Sequence, residues 1–489
     1  MYQAFFIPKT FKMKTIHFLS ILVTLLCVSC SDDDPVIQDP PEEEIPTDVV
    51  VNPISLDIYK SENGVMMQSF YWDVEPRGEW WSILTDHLTD WSESGIDRLW
   101  LPVATKGQSG GYSMGYDPSD YFDFGEFDQH GTVITRFGSR KELESLIDKA
   151  HELKLEVIAD IVINHNSGGG EEYNPYRDKN TYSLFDETHG NASGMFNRTY
   201  ENFYPNSTSN YDDGSLFYEE TNLDHNQEYV QDWLWKSENS VAKYYQNVMG
   251  FDGWRFDYVL GFEPWVIKAW LTEVGGFSVS ELWDGNPQVL AEFVDKTGSG
   301  VFDFSTFYKL EEALDRFNDL TYLDKEMLWQ THPEKAITFT ANHDTEKDTN
   351  EDNKIAPENK LKAYAYILTH PGYPTLFYSD YENPDFKTPL KQLIQIHNSL
   401  AVGPTQILYV DNDEYIMKRD GDGENPGLIL YINNSNTVKR RSVTTNWKQA
   451  YILDYSENTP FVASTDDKGV SQLEVPANGF AIYSVADSN

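Results

Sequence analysis

Thiols are nearly absent from this chain: its two cysteines, Cys27 and Cys30, both fall within the first 30 of 489 residues. Everything beyond them is built without disulfides and has no route to thiol catalysis. Basic charge is scarce as well, with 37 Lys and Arg against 79 Asp and Glu and a formal net charge of −42. That balance excludes a phosphate backbone or an anionic lipid surface as the main partner, since both need basic patches, so no nucleic acid is expected. The apolar run 18–28 is far short of the roughly 20 residues that a membrane-spanning helix needs. It has the size of a signal-peptide core.

The first 53 residues read as an address and a tether. Lys14 precedes the apolar run, and Met13-Lys14 opens the signal more naturally than Met1 does. The small residues before Cys30 resemble a lipoprotein cleavage box, in which the cysteine is acylated and becomes the new N-terminus. Ser31-Asp32-Asp33-Asp34 resembles the acidic export tag of Bacteroidetes surface lipoproteins. The expectation is a signal over 1–30, an acidic, proline-rich tether over 31–53, and an exported lipoprotein anchored by lipid at the outer-membrane cell surface.

From residue 64 onward, short apolar runs alternate with helical patterns, the signature of βα units around a parallel sheet. Eight candidate strands fall at 65–71, 97–102, 156–163, 253–259, 277–282, 300–304, 336–341 and 374–378. Ser139 and Glu142 form a capping box for a helix burying Leu143, Leu146, Ile147, Ala150 and Leu153. Pro264 opens another helix, which stops at Gly275-Gly276. The third and fourth strands are separated by too many residues for one βα unit, so 166–224 reads as an inserted irregular subdomain. After residue 403 short strands and turn clusters such as Asp420-Gly421-Asp422-Gly423 take over. The fold class is thus α/β: a (β/α)8 TIM barrel over 54–403 with a subdomain inserted after strand 3, then an antiparallel β-sandwich over 404–489.

Polar groups at the ends of barrel strands are where function is expected. The third strand ends in Asp160-Ile161-Val162-Ile163-Asn164-His165 and the fourth in Gly253-Trp254-Arg255-Phe256-Asp257. The fifth ends in Ser280-Glu281-Leu282-Trp283-Asp284, and the seventh in Asn342-His343-Asp344. Any one of these acids alone reads as structural; four clusters at the same end of the barrel do not.

These segments resemble the four signature regions of glycoside hydrolase family 13, the α-amylase family. Gly111-Tyr112-Ser113-Met114-Gly115-Tyr116-Asp117-Pro118 and Thr135-Arg136-Phe137-Gly138 add to the match. With 253–259 they resemble the archaeal and plant-like type, and the resemblance spans 64–485. It implies a retaining endo-hydrolase of α-1,4-glucosidic bonds in starch- or glycogen-type glucans, with other glycan-uptake surface proteins as neighbours. In that reading Asp257 is the nucleophile, Glu281 the general acid and base, and Asp344 the third carboxylate. Tyr116, His165, Arg255, His343 and Trp283 are the substrate-binding set, and Asp160 organises the site.

The resemblance also implies Ca²⁺ as cofactor, held by Asn164, Asp212, the Gly214 carbonyl, Asn222 and the Gly261 carbonyl, oxygen ligands that suit a hard cation. Asn222 stands where relatives usually carry Asp, which predicts a weaker site, with Asp224 or Asp213 as substitutes. No His or Cys spacing supports zinc. Leu260 stands where many members place a lysine contacting the leaving side of the substrate. Two rival readings share these features: a 4-α-glucanotransferase on the same scaffold, and a non-catalytic surface glucan-binding lipoprotein. The intact set Asp257, Glu281 and Asp344 weighs against the second.

Overall fold

Short apolar runs buried on both faces pair in parallel only when a connection carries the chain back to the same end of the sheet. The computed structural model describes residues 51–56, 64–209, 221–350 and 353–488. The expected signal and nearly all of the expected tether lie outside them. Eight parallel strands are β1 (Met66–Gln68), β2 (Arg98–Trp100), β3 (Glu156–Ile161), β4 (Gly253–Phe256), β5 (Phe277–Ser280), β6 (Gly300–Phe302), β7 (Ala336–Phe339) and β8 (Tyr373–Phe377). They close into a barrel in chain order, with β8 pairing back to β1. Seven lie inside the expected ranges, and β8 starts one residue early. The barrel interior is packed with rings: Trp100 meets Phe302 at 5.2 Å, and Phe302 meets Phe339 at 5.7 Å.

The expected helix signals act as read. Arg140–Glu152 begins at Ser139, whose side chain accepts from the Glu142 amide while Glu142 reciprocates. It buries Leu143, Leu146, Ile147 and Ala150, whereas Leu153 has moved to the C-cap and is only partly covered. Trp265–Val274 starts directly after Pro264 and ends at Gly275. Among the described residues the insertion carries a hairpin, Gly170–Asn174 with Lys179–Leu184, and a short 3-10 turn at Tyr200–Asn202.

The C-terminal region is an antiparallel sheet domain. Glu414–Arg419, Leu428–Asn433 and Gly479–Ser488 are neighbouring strands of a seven-stranded sheet. One face packs on a separate two-stranded sheet, Lys439–Thr444 with Val470–Val475, through Ile416, Ile429, Tyr431, Val443 and Leu473. The other face sends Tyr415, Met417, Leu430 and Ile482 into the barrel's own core. Both faces are covered, which is why Leu428–Asn433 is buried at every position. A further strand lies outside the expected ranges: Val51–Pro53, at the end of the stretch read as tether, pairs antiparallel with 486–488 and joins this sheet. Pro53 suits such a place, because an edge strand tolerates a missing donor.

Candidate active site

The register of β3 against β4 sets Asp160 directly beside Arg255. Asp257 follows Arg255 by two residues and so projects to the same side of the extended chain. The ladder runs on past the strand ends: the Asp257 amide donates to the Ile161 carbonyl at 3.0 Å, and the Glu281 amide to the Phe256 carbonyl at 2.9 Å. Three acids therefore converge on one guanidinium. Arg255 Nη1 lies 2.8 Å from both Asp160 Oδ1 and Asp257 Oδ1, and Nη2 lies 2.7 Å from Glu281 Oε1. The Arg255 side chain is 1% exposed. Its guanidinium also lies over the Trp100 ring at 5.0 Å.

One cation among three carboxylates leaves negative charge uncompensated. Burial pushes Asp257 well above the usual carboxylate range, with Glu281 and Asp160 adding to the rise and Arg255 opposing it. Asp160 is raised for the same reason, burial first. A cluster of this kind holds on to a proton and titrates as a unit.

Beside the carboxylates stands an aromatic wall. Trp72, Tyr116 and His343 lie nearly parallel in pairs, at 5.7, 5.8 and 5.4 Å between ring centres. Gln68 Nε2 donates to His343 Nδ1 at 2.9 Å, so the proton of the neutral ring sits on Nε2, which faces the Tyr116 hydroxyl at 3.0 Å. The hydroxyl in turn donates to Asp160 Oδ2 at 2.9 Å, and the Trp100 indole donates to the same oxygen at 3.1 Å. Burial, aided by Arg255, brings His343 down to about 3, so the imidazole stays neutral. Tyr116 is placed by Gly115, whose φ is +97° and where a Cβ would come within 2.2 Å of Val103. Asp344 follows His343 at the open edge of the cleft, and burial among its neighbours raises it to about 6.

Two of the expected sugar contacts also have partners within the protein. His165 is buried and uses both nitrogens within the protein, with Asn164 Nδ2 at 3.2 Å and the Tyr116 carbonyl at 3.0 Å, so it supports Tyr116. Trp283 packs on Phe304 at 4.6 Å and donates to the Tyr308 hydroxyl at 2.8 Å. Gln68, Trp72 and Trp100 belong to the site but were not singled out in the sequence. Gln68 had a legible signal, as a polar residue inside an apolar strand; Trp72 lies in the loop beyond the strand, where periodicity says nothing.

Of the residues expected around a metal, Asn164, Asn222 and Gly261 come together. His165 and Asn222 form a β-bridge, and the Leu223 amide donates to the Asn164 carbonyl at 3.0 Å. A Cβ on Gly261 would fall 2.1 Å from Asn164 Oδ1, so only glycine admits this approach. Both asparagine side chains are buried. Asp212, Asp213 and Gly214 lie outside the described residues. Asp224, the expected substitute, has a carboxylate that accepts from Asn206, Thr208, Asn226 and Gln227. Among the described residues, no group of three His, Cys, Asp or Glu is placed to hold a metal.

Comparison with known proteins turns this geometry into a class. Residues 64–381 match the model for the alpha amylase catalytic domain, and 428–484 match the alpha-amylase C-terminal model. The protein is a glycoside hydrolase. Alpha-amylase of Geobacillus stearothermophilus is 30% identical over 431 residues, covering 75% of this chain and 76% of that protein. Cytoplasmic alpha-amylase of Escherichia coli (strain K12) is 27% identical over 483 residues, covering 83% and 96%. The chain belongs to the α-amylase family and hydrolyses α-glucans. The crystal structure of alpha-amylase from Geobacillus thermoleovorans, complexed with acarbose, shares the fold, with a TM-score of 0.65 at 19% identity over 87% of this chain and 98% of that one.

Proposed function

We propose that this family member is a retaining endo-hydrolase of α-1,4-glucosidic bonds in starch- and glycogen-type glucans, of the archaeal and plant-like type. The observation that carries the reading is the holding of Asp257 and Glu281 by adjacent nitrogens of one guanidinium, at 2.8 and 2.7 Å. That brings the two carboxyl groups close together, as in retaining enzymes (about 5–5.5 Å) rather than the wider gap that admits a water in inverting ones. Asp257 attacks the anomeric carbon, the glycosidic C–O bond breaks, and Glu281 gives its proton to the leaving oxygen. Water then attacks the same carbon, the ester bond to Asp257 breaks, and the water's proton goes to Glu281. This cycle needs Asp257 ionised, which the charge of Arg255 favours against burial, and a proton on Glu281. Asp344, ionised, stabilises the positive charge that develops on the sugar, and the Trp72–Tyr116–His343 wall faces that sugar.

Incubation with amylose tests the reading. Reducing ends should rise while the polymer shortens rapidly, as internal bonds are cut. Redistribution of chain lengths without new reducing ends would mark a glucanotransferase, and no change would mark a binder.

The oxygens gathered near Gly261 fit a hard cation. In this reading Ca²⁺ would be held by Asn164, Asn222 and the Gly261 carbonyl, with Asp212 and the Gly214 carbonyl as the further ligands that the family resemblance implies. It would tie the insertion to the barrel and take no part in proton transfer. We further propose that the chain is exported and anchored through an acylated Cys30 at the outer-membrane cell surface, next to other glycan-uptake proteins. The cleavage box and acidic tag of the sequence support this.

A further inference from the structure

Arg136 lies outside the carboxylate cluster, in the run Thr135-Arg136-Phe137-Gly138 that precedes the helix Arg140–Glu152. Its guanidinium grips two loops at once. Nε donates to the Val74 carbonyl at 2.6 Å, and Nη1 donates to the Tyr112 carbonyl at 2.7 Å. Val74 closes the turn that carries Trp72, since its amide donates to the Tyr71 carbonyl at 3.4 Å. Tyr112 ends the 3-10 turn Gly110–Tyr112, on the approach to Tyr116. The backbone adds to the grip on the first loop: the Arg136 carbonyl accepts from the Gly78 amide at 3.0 Å, and the Phe137 carbonyl from the Trp81 amide at 3.1 Å.

Trp72 and Tyr116, the rings that these two loops present, lie within 6° of parallel. Both stand beyond the ends of their strands, β1 and β2, so their alignment depends on what ties the loops together. A second tie on the turn of Trp72 is the ion pair of Asp73 with Lys347, at 2.5 Å, from the helix that begins at His343. Both partners are well exposed, and such pairs hold little. Burial disfavours the charge on Arg136, while Asp73 and Glu75 beside it oppose that loss. A guanidinium stays protonated through such changes, and its charged donors bind carbonyls more strongly than neutral ones do.

The planar fork explains why the residue is arginine. Two nitrogens at a fixed angle reach carbonyls on two different loops, a geometry that an ammonium on a flexible stem does not reproduce. We infer that Arg136 is a positioning residue for hydrolysis: its fork ties the turn of Trp72 to the loop of Tyr116, and so sets the alignment of the wall that meets the sugar. This rests on the reading above, in which that wall faces the sugar under attack.

The test joins hydrogen exchange to kinetics on the full protein. Arg136→Met removes the fork and keeps most of the apolar stem. Amides of 70–78 and 110–117 should exchange faster in this variant, while those of β7 and β8 stay as in wild type. Its kcat/KM for maltoheptaose should fall about tenfold, within what misplacing a group at a site can cost. Trp72→Ala should lower kcat/KM as well, and adding Arg136→Met to it should cost less than about twofold more, because both changes remove one effect. Arg136→Lys keeps the charge without the fork; it should recover only part of the rate, and it decides the matter if Arg136→Met fails to fold. Unchanged exchange in either loop, full recovery in Arg136→Lys, or an equal loss with and without Trp72 would overturn the positioning role. Faster exchange in both loops, with wild-type rates in Trp72→Ala, would leave the tie in place and overturn the reading of the wall instead.

Discussion

Arg255 is the residue on which the site turns, because its charge is what allows three acids to share a buried corner of the barrel. Removing the acids one at a time separates their tasks. Asp257→Asn and Glu281→Gln should each lower kcat by at least ~10³-fold while the circular dichroism spectrum is unchanged, since in the proposed mechanism one removes the nucleophile and the other the proton donor. Near-normal turnover in either folded variant would defeat the assignment. Asp344 makes a prediction about pH. Its folded pKa of about 6 lies above the ordinary 3.8, with burial as the main cause, Arg255 opposing, and Asp160 and Asp348 adding. The native state therefore binds that proton more tightly than the unfolded chain, and this contribution to stability is lost as pH rises from about 4 through about 6. Asp344→Asn should show a melting temperature that gains on wild type over that interval and keeps the gain at neutral pH. A constant difference across the range would mean that Asp344 titrates normally. At this scale the sequence was informative where chemistry sits on a strand end, as with Arg255 and Asp257 two residues apart. It was silent where a partner arrives from far along the chain, as Gln68 does to His343, 275 residues away.

The elements that aim these residues are short strands followed by sharp turns. Tyr258, immediately after Asp257, has φ +44°, and its amide donates to Glu281 Oε2 at 2.9 Å. A non-glycine residue held there stores of order 1–3 kcal/mol, and here it orients a carboxylate on the next strand. Three residues on, Gly261 admits Asn164 Oδ1 where no side chain fits. If calcium is held here, chelation should lower the melting temperature of wild type, and Asn222→Asp should need less added Ca²⁺ to recover, because an added anionic ligand strengthens the site. Gly261→Ala, which displaces Asn164, should melt lower and respond weakly to Ca²⁺. Indifference of all three proteins to chelator, with no heat of binding in calorimetry, would rule the metal out. All eight barrel strands were legible as apolar runs because parallel strands are buried on both faces. The insertion was legible only as an interruption, since irregular turns carry no period.

At the scale of the whole molecule, barrel and C-terminal sheet share one core, so the sheet domain buries a barrel face as well as its own. The strand Val51–Pro53 was not legible in the sequence because it pairs with 486–488, across nearly the full length of the chain. Short edge pairings of that kind leave no local pattern. It brings the end of the N-terminal segment onto the C-terminal sheet. Cys30→Ser should leave the folded enzyme active but release it from the membrane fraction into the soluble one, as acylation supplies the proposed anchor. Unchanged membrane association would point to a different attachment. A double displacement with Asp257 as nucleophile has a stereochemical signature, visible by proton NMR of the first product during hydrolysis of a maltooligosaccharide, before mutarotation. The α-anomer should be released, because two inversions at one carbon restore its configuration. Initial release of the β-anomer would show a single displacement by water, and Asp257 could not then be the nucleophile.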